Sequence, residues 1–166
     1  PCVWDIHEQR MLSPTPDNHP LTGHPSVLGS QLPRIEGTIG VATQMGMLDM
    51  HPYFYCAEQE IWITDIYQGD LLLYCRDEQG TYCVNWTVKD RDSSFTSSIN
   101  LPHKQRNTER AKRQAEFRHR LEELYYLDAG IRTQRIVRSA MDDELITTLR
   151  GLFLKHGETI LVSPDV

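Results

Sequence analysis

The stretch Gly69-Asp70-Leu71-Leu72-Leu73-Tyr74, continued by Asp77-Glu78-Gln79-Gly80 and then Tyr82-Cys83-Val84-Asn85-Trp86-Thr87-Val88-Lys89, decides the fold. A short polar segment ending in glycine between two apolar runs is the pattern of a β-hairpin. Leu71 to Cys75 is almost continuously apolar, so the first strand is expected to be covered on both faces and to lie centrally in its sheet. In the second strand, alternation puts Tyr82, Val84, Trp86 and Val88 on one face and Cys83, Asn85, Thr87 and Lys89 on the other. Lys89 therefore ends a row that crosses the sheet beside Asp70. A carboxylate there can hold a divalent cation, and a neighbouring ammonium can orient water or offset charge on a phosphate. The same two residues also suit an ordinary surface ion pair, an acid at a strand start and a lysine at a strand end.

Working outward, Cys2 to Met11 reads as a strand entering a loop. Residues 13–34 carry five of the nine prolines, with Gly23 and Gly29, and read as an irregular excursion within one domain. Between Ile35 and Met50 the positions Ile39, Ala42, Met45 and Met47 recur near helical spacing, and the helix is predicted to stop before His51-Pro52. Ile61-Trp62-Ile63 leads into the hairpin. After Lys89 a polar loop precedes a helix predicted over 107–127, in which Phe117, Leu121, Leu124 and Tyr125 form one stripe and Thr108 is the cap. Gly130 closes that helix, because the left-handed closing residue is least strained as glycine. Residues 131–137 suit a further strand, and Asp142, Asp143 and Glu144 open a terminal helix reaching Lys155, followed by a tail. The alternation of helices and strands predicts an α/β domain spanning 1–166, a mixed sheet flanked by helices.

Composition excludes some classes. A chain of 166 residues, 39% of them hydrophobic, has material for one real core. Its net charge of -6 announces no global basic field for nucleic acid. Basic residues do gather locally, however, at Lys104, Arg106, Arg110, Lys112, Arg113, Arg118 and Arg120. This run could face phosphates or form the solvated side of a helix. Cys2, Cys56, Cys75 and Cys83 lack C-x-x-C spacing, so reduced cytoplasmic thiols are expected, with Cys75 and Cys83 opposite one another as small buried strand residues. No apolar run is long enough to span a membrane and no charged-then-apolar leader opens the chain, so a protein without a membrane partner is expected. His19 and His24 have no companion ligands at zinc spacing and read as loop residues. Trp4, Trp62 and Trp86 read as core aromatics. Glu8 reads as a structural strand residue or ion-pair partner that could touch the site. The serines from Ser93 to Ser98 have no His-acid pattern to support hydrolase chemistry.

Taken in order, these segments resemble TnsA, the endonuclease subunit of heteromeric cut-and-paste transposases, within the PD-(D/E)xK nuclease superfamily. Val3-Trp4-Asp5-Ile6-His7-Glu8-Gln9 is similar to that family's Val-x-Asp-Ile-Arg-Glu-Gln strand. The segment from Thr38 to Pro52, with Ile39, Ala42, Gly46, His51 and Pro52 in order, resembles its helix ending in Gly-Ile-x-His-Pro. Asp70-Leu71-Leu72-Leu73 stands where the family has Asp-Phe-Leu-Val, and Val88-Lys89 where it has Val-Lys. Leu124-Tyr125-Tyr126, Gly130-Ile131 and Val137 follow its aromatic helix end, Gly-Ile turn and closing strand.

The resemblance implies a restriction-endonuclease-like domain of a bacterial cytoplasmic protein that cuts double-stranded DNA at transposon ends with Mg2+, or Mn2+ in its place. Its implied partners are a TnsB-like transposase subunit and a TnsC-like AAA+ ATPase regulator. Asp70 and Lys89 would be catalytic and Asp70, with the Val88 carbonyl, would hold the metal; of the basic run read above, Arg106, Arg110, Lys112 and Arg113 are the residues expected to contact DNA. Two departures stand out. Position 87, acidic in most of the superfamily, is Thr, a poor ligand for a hard cation. The family also places a metal-binding Glu on a helix before the Val-x-Asp-Ile strand, where this chain begins; Asp65, Glu60 and Glu36 are the acids that could substitute. The family's C-terminal winged-helix domain has no room after Lys155. A catalytically reduced relative, kept as a DNA-binding or assembly module, is the alternative these departures permit, and a generic restriction or repair nuclease acting without partners is a third.

Overall fold

The structure, a computed structural model, describes residues 2–29, 31–96, 109–144 and 146–147. Its strands are β1 (Cys2–Glu8), β2 (Tyr53–Cys56), β3 (Ile61–Thr64), β4 (Leu71–Asp77), β5 (Gly80–Lys89) and β6 (Arg132–Val137), and its longer helices are α1 (Thr38–Gln44) and α2 (Glu109–Leu127). The protein is mixed α/β. Among the described residues four strands form one mixed sheet in the order β1-β4-β5-β6, and β2 and β3 pair with each other.

The hairpin organises the sheet. β4 and β5 pair antiparallel from Asp77 opposite Gly80 to Leu71 opposite Trp86, around the expected turn. Asp77 accepts the Gln79 N–H at 2.9 Å, an Asx-type contact that tightens this turn. β1 adds antiparallel on the far side of β4, with a bulge at Trp4. β6 runs parallel to β5, with Lys89 opposite Val137, and the connection between these two strands carries α2. A parallel pair needs such a long crossover, because a tight turn can only reverse the chain.

β4 is central and buried, as its continuous apolar run demands. On one face Leu72, Tyr74 and Cys83 pack against Phe117, Leu121 and Tyr125 of α2 and against Val41 and Ala42 of α1. On the other face Leu73, Cys75 and Val84 form a smaller cluster with Tyr82 and Trp86. Cys75 is thus paired with Tyr82 and Cys83 with Tyr74, and the two thiols sit on opposite faces of the sheet. The expected Cys75–Cys83 opposition fails because the two-residue turn sets the register one residue away from it.

α2 follows its apolar stripe and ends as expected. The N–H of Ile131 bonds the Tyr126 carbonyl and that of Gly130 bonds the Leu127 carbonyl, with Gly130 at φ 73°. This is a Schellman closure, which requires the left-handed residue. Thr108 and Arg106 lie outside the described residues, as does most of the predicted terminal helix. The opening of that helix is seen: Asp142 accepts the Glu144 N–H at 2.8 Å. Among the described residues no helix is long and apolar enough to cross a membrane.

α1 is much shorter than the predicted span, because glycines bound it at both ends. Gly46 follows its last turn at φ 67°, and a short 3-10 turn, Leu48–Met50, leads to His51. At its start Gly37 has φ 91° and ψ 153°, a region open essentially to glycine alone. A Cβ there would lie 2.5 Å from the Thr15 backbone carbon and 2.8 Å from the Pro14 carbonyl oxygen. Gly37→Ala is therefore expected to cost about 2 kcal/mol, from backbone strain plus a clash that no side chain can relieve. Denaturant unfolding with an unchanged m-value would check this.

Two tryptophans correct the sequence reading. Trp62 is 70% exposed and Trp4 39%. Trp62 sits on the two-stranded β2–β3 unit, which no helix among the described residues covers, and Trp4 sits at the bulge of an edge strand. Trp86 alone packs as expected, and its indole N–H donates to the Gln134 side chain at 2.9 Å. β2 itself was not foreseen, since Tyr53-Phe54-Tyr55 has no alternation to mark it.

Candidate active site

Asp70 directly precedes β4, and Lys89 ends β5. Because the hairpin register pairs Leu71 with Trp86, the two residues fall at the same end of the sheet. Asp70 Oδ2 accepts the Val88 N–H at 2.7 Å and the Lys89 ammonium at 3.1 Å. The Asp70 carbonyl accepts the Gln9 N–H at 2.9 Å, which ties the end of β1 to the same point. The Lys89 side chain is 17% exposed and that of Asp70 34%, so the pair lies at the mouth of a partly buried recess. Val88 is the residue between them. In an extended strand the N–H and C=O of one residue leave on the same side, so the Val88 carbonyl also faces the Asp70 edge.

The interior of this recess holds an acid that the hairpin pattern does not reveal. Glu122 of α2 is 5% exposed. Its Oε1 accepts the Asn85 amide at 2.9 Å and the Thr87 hydroxyl at 3.1 Å. Asn85 also donates to the Thr133 hydroxyl at 3.2 Å, so the clamp spans β5 and β6. Burial pushes the Glu122 carboxyl up from its ordinary range, the bonds from Asn85 and Thr87 draw it back, and the charges of Asp70 and Lys89 act in opposite directions. One turn earlier, His119 is 8% exposed and rests against Phe95, with ring centroids 5.2 Å apart. Burial and then the Lys89, Arg135 and Arg118 charges push its imidazole down to about 4, so it is neutral near pH 7.

The sequence signal for these residues lay in α2. His119, Glu122 and Tyr126 follow an i, i+3, i+7 pattern flanking the Phe117, Leu121, Tyr125 stripe, so they share its buried side. A Glu inside an apolar arc was the clue. Asp65, Glu60 and Glu36 are placed elsewhere: Asp65 accepts the N–H of Ile66, Glu60 lies in the turn joining β2 to β3, and the Glu36 side chain rests against Gly40 of α1. Glu8 is exposed and opposite Leu71. His19 and His24 serve their loop, accepting the N–H groups of Leu21 and Ser26.

Of the basic run, Arg110 and Arg113 line a cleft with Asp49 and His51 at the far end of α2, and Lys112 pairs with Glu109 at 3.1 Å. At 1.5 Å per residue they stand ~13–18 Å along the helix from Glu122. Arg118 is nearer the site, donating to the Gln68 carbonyl at 3.2 Å.

Among the described residues no three His, Cys, Asp or Glu side chains converge into a metal cage. The groups on this side are oxygens: the Asp70 carboxylate, the Val88 carbonyl on the facing strand edge, and the Glu122 carboxylate, which feels the charges of Asp70 and Lys89. Such a set suits a hard cation that keeps waters and takes substrate phosphate, as Mg2+ does, and offers no soft ligand for Zn2+. The chain is thus a mixed α/β protein with an acid-lysine site at one sheet end. No family model, curated protein or solved structure matches it.

Proposed function

We propose that this chain is a restriction-endonuclease-like, metal-dependent DNA endonuclease, cutting at transposon ends as one subunit of a heteromeric transposase. A TnsB-like transposase and a TnsC-like ATPase are its proposed partners. The observation that carries the reading is the Asp70–Lys89 pair, closed at 3.1 Å across the ends of two neighbouring strands with the Val88 peptide between them. Bound Mg2+ or Mn2+ would supply an activated water and charge neutralisation at the scissile phosphate. Asp70 and the Val88 carbonyl are the groups to hold it. Lys89, fixed on Asp70, presents its ammonium where a phosphate oxygen would gain charge. Arg110, Lys112 and Arg113 lie at a distance a duplex spans with several phosphates, which suits backbone contacts rather than base reading.

One observation favours a second reading, a nuclease fold kept for DNA binding or assembly. Thr87 stands where the superfamily has an acid, and Asp70 Oδ2 is already engaged by Val88 and Lys89. Cleavage of the element's own end DNA by the full chain with its transposase partner separates the two. Cutting is expected with Mg2+ and not in EDTA, and Lys89→Met is expected to slow it by about 10²-fold or more. Cutting that persists in EDTA, or at wild-type rate in Lys89→Met, would overturn the first reading.

A further inference from the structure

We infer that Glu122 is the second metal-holding carboxylate of this site, standing in from α2 for the strand acid missing at position 87. The inference rests on the nuclease reading and adds a ligand to it.

The first argument is the clamp. Thr87 and Asn85 both direct donors onto one oxygen of Glu122. The residue at the acid position thus has its hydroxyl on a carboxylate delivered from the opposite side of the recess. The acid's head group occupies the space that a longer side chain at position 87 would reach, while its stem has moved to the helix. A buried carboxylate is costly unless it is paired or coordinates a cation. Glu122 has Lys89 within charge range, but Lys89 is bonded to Asp70. For packing alone, a glutamine would accept the same two bonds without the charge.

The second argument is independent. The Tyr126 hydroxyl, one turn beyond Glu122, is fully buried and has no hydrogen-bond partner among the described residues. A Cβ built on Gly69 would lie 3.5 Å from Glu122 Oε1 and 3.7 Å from the Tyr126 hydroxyl, so both oxygens converge on the backbone just before Asp70. The Asn85 side-chain oxygen, Oδ1, is likewise buried and unpartnered among the described residues. Buried polar atoms in native proteins are nearly always satisfied, by protein or by ordered water. Two such atoms flanking one carboxylate, next to a second carboxylate, fit the hydration shell of an oxygen-preferring divalent cation. Asp70, Glu122 and the Val88 carbonyl then hold the ion, and Tyr126 and Asn85 hold its waters.

The test is Mn2+ binding to the full chain, read by electron paramagnetic resonance or calorimetry without DNA, alongside thermal unfolding in EDTA. Glu122→Gln is expected to weaken Mn2+ at least tenfold while melting in EDTA no lower than wild type. Glu122→Asp, which keeps the charge but withdraws it by one methylene, is the check should the first variant fold poorly; it too is expected to bind Mn2+ more weakly. Mn2+ affinity within twofold of wild type in a folded variant would overturn the inference. Asp70→Asn distinguishes this from failure of the nuclease reading. Loss of Mn2+ in Asp70→Asn but not in Glu122→Gln removes Glu122 alone, whereas a wild-type chain that binds no Mn2+ removes both.

Discussion

Asp70→Asn is expected to yield a folded protein whose DNA cutting falls by a factor on the order of 10³, equivalent to about 4 kcal/mol of transition-state stabilisation. Asparagine keeps a carbonyl oxygen for the Val88 N–H, so the strand ends stay joined. It loses the negative charge that pairs with Lys89 and would hold the cation. The fold loses little, because the ion pair is partly exposed and such pairs contribute roughly 1 kcal/mol or less. The charge pattern inside the recess also shifts, since Asp70 is one of the groups that raise the Glu122 carboxyl. In the variant, Lys89 is left facing Glu122 without a competing acid. Cleavage rate and melting temperature measured side by side decide the matter. Wild-type cutting would exclude Asp70 from the chemistry, and a melting temperature lower by about 10 °C would make its role structural.

The hairpin was legible because three independent signals coincide there. The turn residues, the apolar run of β4 and the alternation of β5 agree, and together they determine which residues share the Asp70 end of the sheet. Gly130 was legible for a related reason, as one backbone conformation admits few residues. The α2 contribution to the site was not. Glu122 acquires its meaning from Thr87 and Asn85, 35 and 37 residues away in the chain, and no local pattern encodes that contact. Asp65, Glu60 and Glu36 lie close in sequence to the hairpin or to α1, whereas the crossover to a parallel strand brings α2 and its Glu122 over this end of the sheet instead. Trp62 failed for the opposite reason. Local aromatic character marks a strand, but whether a strand is covered depends on which sheet it joins.

The groups around Glu122 also carry a cost in stability. A buried acid, an imidazole held neutral and two buried oxygens unpartnered among the described residues lie on two turns of α2 or against them on β5, next to well-packed Leu121 and Tyr125. Each would be replaced by an apolar or fully bonded group if packing were the only demand. Groups of the same kind also occur at His19, His51 and the Tyr67 hydroxyl, so what distinguishes this end of the sheet is that they meet the Asp70–Lys89 pair there.

His119 should make the protein acid-sensitive in a defined window. In the unfolded chain its imidazole takes up a proton near 6.5, whereas in the fold it remains neutral down to about 4. Between those values the unfolded state binds more protons, so acid favours unfolding. The stabilisation is complete above pH 6.5, is lost progressively as the pH falls toward 4, and changes no further below that. Its full size is on the order of 3 kcal/mol, or roughly 6–12 °C in melting temperature for a chain of this length. The groups acting on His119 are Lys89 on β5, Arg135 on β6, and Arg118 and Glu123 on α2, of which only Glu123 favours the proton. Glu122 contributes a slope of opposite sign, because its raised carboxyl binds a proton in the fold before it does so in the unfolded chain. The two are separated by comparing wild type with His119→Phe, which retains an aromatic ring against Phe95 and leaves Glu122 in place. The variant's stability should fall less steeply than that of the wild type from pH 6.5 to 4, the remaining fall coming from His19 and His51, whose burial also lowers their imidazoles. Parallel curves for the two proteins across this range would show that the imidazole is protonated in the fold, and that the recess around Lys89 is open to water rather than closed.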